Sequence, residues 1–135
     1  MKILVIEDDD QFRRIVAKML SAEGHEIIGA ADGLRGMELF REQHPDLVIT
    51  DIIMPTREGM ETIIELRRHS PTIKIIAMSG SFAPGDSLDV LKMAKLIGAD
   101  EIIGKPFRAE ELRKLVGQVS LSPWTAEPPA SVIIL

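Results

Sequence analysis

Lys2-Ile3-Leu4-Val5-Ile6-Glu7-Asp8 opens the chain with an unbroken apolar run that ends on two carboxylates. Branched apolar residues at consecutive positions, with no polar alternates, suit a strand covered on both faces and hence a parallel sheet sandwiched by helices. Two later stretches repeat the arrangement: Leu47–Thr50 runs into Asp51, and Glu101–Ile103 leads to Lys105-Pro106. In an open parallel sheet the C-terminal strand ends converge on one crevice, so residues far apart in sequence meet there. Carboxylates and one ammonium gathered in a crevice suit a divalent cation and a phosphoryl group better than they suit a core.

Working outward, five strand-like runs are expected: Ile3–Ile6, Glu26–Ala30, Leu47–Thr50, Ile73–Met78 and Glu101–Ile103. The second and fifth are short and flanked by charge, which suits sheet edges. Helical spacing joins Phe12, Ile15, Val16, Met19 and Leu20, with Gly24 as a C-terminal stop, and recurs at Leu112, Leu115, Val116 and Val119. Weaker helices are expected over Leu34–Glu42, Gly59–Arg68 and Ser87–Ile97, the last stopped by Gly98. Five βα units make a three-layer α/β/α sandwich.

The composition fits one domain. The chain has 135 residues, 45 % of them hydrophobic, and a formal net charge of −5. No block of Lys or Arg stands out, which argues against nucleic acid as the main partner. There is no cysteine, which excludes disulfides and thiolate zinc sites. No apolar run approaches the roughly 20 residues of a membrane span. A cytoplasmic protein is expected, with the domain over residues 1–119 and a tail, expected to be flexible, over 120–135. Pro123, Pro128 and Pro129 argue against helix in that tail, although it ends on the apolar Val132-Ile133-Ile134-Leu135.

With these residues in view, the chain resembles a response-regulator receiver domain, the phosphoacceptor module of two-component signalling, of the chemotaxis-regulator kind. The resemblance covers roughly residues 2–119. It rests on ILVIEDD at the first strand, DLVITDIIMPTREG around Asp51, Ser79 ending the fourth strand and GADEIIGKPF at the fifth. It implies a flavodoxin-like five-stranded parallel sheet of order 2-1-3-4-5, an order the residues themselves do not supply. It also implies Asp51 as phosphoacceptor, Lys105 as a point charge for the phosphoryl oxygens and Ser79 as a hydroxyl donor to them. Mg²⁺ would be bound directly by Asp8 and Asp51 and through water by Glu7, with the backbone carbonyl of Ile53 a ligand that the resemblance adds. Magnesium takes octahedral oxygen ligands and keeps several waters, which suits this set.

Each residue alone has a plainer reading. Asp9 or Asp10 after the acidic pair reads as a helix N-cap. Ser79-Gly80 is a common loop signal, and a lone lysine is usually solvated. Pro106 is either a trans proline opening the last helix or, as the resemblance favours, the second residue of a cis Lys105-Pro106 bond. It is the joint occurrence at expected strand ends that favours the site.

The implied role is a stand-alone receiver, a signalling module rather than a metabolic enzyme. It takes a phosphoryl group from a histidine kinase or phosphotransfer protein, catalyses that transfer partly itself, hydrolyses the adduct slowly, and signals through altered protein contacts. The Ser87–Ile97 helix carries a wide apolar arc and is a candidate surface for a downstream protein or for a homodimer. Two departures stand out. Ile102 occupies a position where receivers commonly carry an aromatic switch residue. The 26 positions from Ser79 to Lys105 exceed the usual spacing, which places extra residues in the Gly80–Asp86 loop. Two alternatives accompany this reading: a phosphorylation-independent scaffold on the same fold, and a small flavin carrier of the same topology. The acidic run Glu7–Asp10 would repel the flavin phosphate.

Overall fold

The computed structural model describes residues 1–52, 59–80 and 92–121 in full, and the backbone of residues 58 and 86–91. Strand and helix alternate strictly: β1 (Lys2–Ile6), α1 (Asp10–Ser21), β2 (Glu26–Ala30), α2 (Gly33–Gln43), β3 (Leu47–Asp51), α3 (Glu58–His69), β4 (Lys74–Ser79), α4 (Asp86–Ile97), β5 (Glu101–Gly104) and α5 (Ala109–Leu121). The sheet is five-stranded, parallel and ordered β2-β1-β3-β4-β5. β3 is buried throughout, whereas the edge strands β2 and β5 are partly exposed, as their flanking charge implied.

Strand alternation sorts the core into two layers. Leu4 and Ile6 of β1, Val48 of β3, and Ile75 and Ala77 of β4 pack with Met37, Ile63, Leu66 and Ala94 of α2, α3 and α4. Their neighbours Ile3, Val5, Leu47, Ile49, Ile76, Met78 and Ile103 pack with Val16, Leu20, Leu112 and Val116 of α1 and α5. Successive side chains of a strand point to opposite faces, so each central strand feeds both layers.

The helix starts follow local chemistry. The Asp9 carboxylate accepts from the Phe12 N–H and caps α1, and the Asp32 carboxylate accepts from the Arg35 N–H and caps α2. The left-handed backbone that follows α2 is supplied by His44 at φ 49°, a residue type that gave no such signal in the sequence. β4 begins at Lys74, one residue later than expected, and runs on to Ser79. β3 runs on to Asp51, which is in register with Met78.

At the N-terminal end of the sheet, Arg67 ties three segments together. Its guanidinium donates to the carbonyls of Pro71, Ile73 and Gly98 and to the Asp100 carboxylate. That carboxylate also accepts from the Ile75 N–H at 2.7 Å. The end of α3, the start of β4 and the turn into β5 are thus pinned together.

Gly59, in the first turn of α3, lies against the end of β3. A Cβ there would run into the Asp51 carbonyl oxygen and the Ile52 backbone. Main chain yields less readily than a side-chain tip, so Gly59→Ala is expected to cost about 1–3 kcal/mol through overpacking. Chemical denaturation of wild type and variant measures this. An unchanged midpoint would mean that α3 shifts at no cost.

Candidate functional site

The site forms where the strands stop. β1 pairs Ile6 with Thr50, and β4 pairs Ser79 with Gly104, so Glu7 and Lys105 lie one residue past the paired segments. The sheet still holds both: the Glu7 N–H donates to the Ala30 carbonyl at 3.0 Å, and the Lys105 N–H donates to the Ser79 carbonyl at 2.7 Å. Continuing the alternation, Val5 leads to Glu7, Ile49 to Asp51 and Ile103 to Lys105, all toward the α1/α5 layer. Ala77 leads to Ser79 on the other face.

That shared face brings the charges together. The Lys105 Nζ donates to Glu7 Oε1 at 2.8 Å and to Asp51 Oδ2 at 3.0 Å. Glu7 and Asp51 are 1 % and 4 % exposed, so this pair of contacts is largely shielded from water. Asp8, beside them, is exposed. Carboxylate oxygens of Glu7, Asp8 and Asp51 all lie within 4.8 Å of one another, close enough to share one cation. The Lys105-Pro106 bond is cis, and α5 starts only at Ala109, so Pro106 does not open that helix.

Burial, more than anything else, pushes the Glu7 carboxyl up to about 8, and its hydrogen bond to Asp51 and the charge there push the same way. Lys105 pulls in the opposite direction without prevailing. For Lys105 burial disfavours the charge, yet the Glu7 hydrogen bond and the Asp51 charge and hydrogen bond outweigh it and raise the lysine above its ordinary value. Two buried side-chain atoms have no hydrogen-bond partner among the described residues, Glu7 Oε2 and Ser79 Oγ. Such atoms are costly unless a ligand serves them. An acceptor on the acidic side and a hydroxyl on the far side fit a hydrated divalent cation and an anionic group beside Asp51.

Glu7, Asp8, Asp51 and Lys105 therefore come together as the sequence implied. Ser79 stands at the same sheet end, in register with Gly104, bonded to Lys105 through the main chain while its hydroxyl makes no hydrogen bond among the described residues. Ile53, the expected carbonyl ligand, lies outside the described residues, as do residues 81–85 of the long loop and 122–135 of the tail. Ile102 is half-buried against the layer of α2, α3 and α4, an aliphatic packing residue at the switch position.

Two residues acquire roles that periodicity did not reveal. Arg13 donates to the Glu7 carbonyl at 2.7 Å and to Asp10 at 2.6 Å, bracing the acidic turn. The Phe12 ring, which the helical spacing assigned only to the core, lies against the Lys105 ammonium. A cavity of about 270 Å³ lined by Met1, Asp46, Leu47, Lys74, Val119 and Ser120 sits at the opposite end of the sheet and is unrelated to the acidic cluster. No described helix is long and apolar enough to cross a membrane.

Known proteins resemble this chain in sequence and in fold. A probable transcriptional regulator, ycf27, of Porphyridium aerugineum is 37 % identical over 118 residues, covering 87 % of this chain and 47 % of its own length. The transcriptional regulatory protein AfsQ1 of Streptomyces coelicolor is 36 % identical over 110 residues, covering 82 % of this chain and 47 % of its own length. The chain thus spans about half the length of the curated relatives it matches. Among solved structures, the receiver domain of NtrX from Brucella abortus superposes with a TM-score of 0.82 at 28 % identity, over 90 % of this chain and 99 % of that one. The family model described as the response regulator receiver domain matches residues 3–117, and the chain belongs to that family.

Proposed function

We propose that Asp51 accepts a phosphoryl group from the phosphohistidine of a histidine kinase or phosphotransfer protein, in a Mg²⁺-dependent reaction, and that the signal leaves through altered protein contacts. The observation that carries this reading is the Lys105 ammonium held 3.0 Å from a buried Asp51 carboxylate within an acidic cluster. Asp8 and Asp51 would hold the cation directly and Glu7 through water. Ile53 is proposed as a further ligand from the family resemblance. Bound there, the ion would supply the positive charge that lets an anionic donor approach an anionic acceptor.

The remaining chemistry belongs to the chain. An Asp51 carboxylate oxygen bonds to phosphorus as the P–N bond to the donor imidazole breaks, and that imidazole takes up a proton. Lys105 balances charge on the phosphoryl oxygens, and the Ser79 hydroxyl donates to one of them. Hydrolysis of the adduct returns Asp51 to its carboxylate. The relatives named transcriptional regulators are matched over about half of their own length. For the region at hand, the exposed Met93 and Leu96 of α4, at 55 % and 75 %, are the proposed contact surface for a downstream protein.

Three measurements follow. Intact mass after incubation with Mg²⁺ and a small-molecule phosphodonor should rise by one phosphoryl group in the wild type and stay constant in Asp51→Asn. No adduct on folded wild type would turn the reading toward a phosphorylation-independent scaffold.

The second concerns pH. Because the fold raises Glu7 from 4.5 to about 8, the native state keeps a proton that the unfolded chain releases. Metal-free protein should therefore lose stability as pH rises from about 4.5 to 8, at most on the order of 1 kcal/mol per pH unit. Saturating Mg²⁺ or Glu7→Gln should flatten that slope, as denaturation midpoints across the range would show. The Lys105 shift acts only above its ordinary value of 10.5.

The third concerns the surface of α4. Met93→Ser and Leu96→Ser should leave stability within about 0.5 kcal/mol of wild type, since both side chains are exposed. They should weaken binding to a downstream protein in a pull-down titration. A large loss of stability would assign both residues to the core.

A further inference from the structure

One contact at the site belongs to neither the carboxylates nor the strand ends. The Lys105 Nζ lies 4.3 Å from the centroid of the Phe12 ring. An ammonium carries three N–H donors, and two are taken by Glu7 and Asp51. The ring face gives the cation an electrostatic partner that needs no proton acceptor. The ring is itself held. It meets Phe107 edge to face, with centroids 5.6 Å apart and planes at 78°. Phe107 follows Lys105 by two residues, so one aromatic pair braces α1 against the segment that carries the lysine. Both rings pack on the α1/α5 layer of the core.

The two kinds of partner respond differently to a ligand. A cation held by Asp51, and through water by Glu7, competes with the lysine for their oxygens. The ring is uncharged, so its attraction for the ammonium survives that competition. A flexible four-carbon stem would otherwise be free to swing away.

We propose that Phe12 is a positioning residue whose ring holds the Lys105 ammonium over the Asp51 carboxylate, where incoming phosphoryl oxygens meet it. This rests on the reading of Asp51 as phosphoacceptor. The alternative is an ordinary core aromatic that happens to touch the lysine.

The test is a double-mutant cycle on the full chain with acetyl phosphate and saturating Mg²⁺, with rates read by intact mass. Phe12→Leu should slow adduct formation about three- to tenfold, and Phe12→Tyr, which keeps the π face, should stay within about twofold of wild type. In a Lys105→Ala background Phe12→Leu should have no further effect. An independent readout needs no phosphorylation. The Lys105 ε-methylene proton signals should be shifted upfield by the ring in wild type and in Phe12→Tyr, and should return to ordinary values in Phe12→Leu.

Equal rates for wild type and Phe12→Leu would overturn the proposal. So would the same slowing with and without Lys105, which would make the ring merely structural. Unshifted Lys105 signals in wild type would overturn it whatever the rates. An adduct on wild type that forms independently of Phe12 leaves the Asp51 reading standing and defeats this one alone, whereas no adduct on wild type defeats both.

Discussion

One ammonium set between two buried carboxylates is the interaction on which the functional end of this molecule rests. Glu7 and Asp51 end otherwise apolar strands, and two unpaired negative charges there would face both a desolvation cost and each other. Lys105 relieves the cost only partly, and burial raises the Glu7 carboxyl to about 8, which favours its protonated form. A lysine and a proton are replaceable partners. A divalent ion can displace the proton, and the lysine can turn to a phosphoryl group without leaving the cleft. The charge arrangement thus suits the ligands that these residues could bind.

Much of this was legible in the sequence because it depends on patterns of short period. Apolar runs that end in Glu7, Asp51 and Lys105 mark strand ends, and parallel strands bring their ends together. The two edge strands were recognisable from their charge, and the cap of α1 was narrowed to Asp9 or Asp10, of which Asp9 serves. What escaped depends on contacts with no period. Arg67, in the last turn of α3, looks like any solvated cation at a helix C-terminus, yet it reaches Gly98 and Asp100 across the fold. Phe12 fits an apolar helix stripe, and nothing local reveals that its ring faces a cation. Gly59 follows Glu58 as an ordinary weak helix former, and its close approach to the Asp51 carbonyl emerges only with packing. The Pro106 ambiguity had the same origin, since either isomer suits the local sequence and the observed one is cis.

The molecule divides its labour along the sheet axis. At the N-terminal strand ends, Arg67 and Asp100 satisfy main-chain groups of three segments and leave that end tightly bonded. At the C-terminal strand ends, Glu7 Oε2 and Ser79 Oγ stay unpartnered among the described residues. Fold stability and binding potential thus occupy opposite ends of one domain, so substitutions at one need not disturb the other.

The alternation that sends Glu7, Asp51 and Lys105 to one face also bears on how such a chain can change over time. Replacing a core residue of β1 or β3 with another apolar residue preserves the parity of every position beyond it. Inserting or deleting a single residue within either strand reverses that parity and turns the terminal carboxylate toward the opposite layer, away from its lysine. Drift by substitution is therefore open to these strands, whereas changes of length are confined to the connections between elements, where no side-chain parity has to be kept.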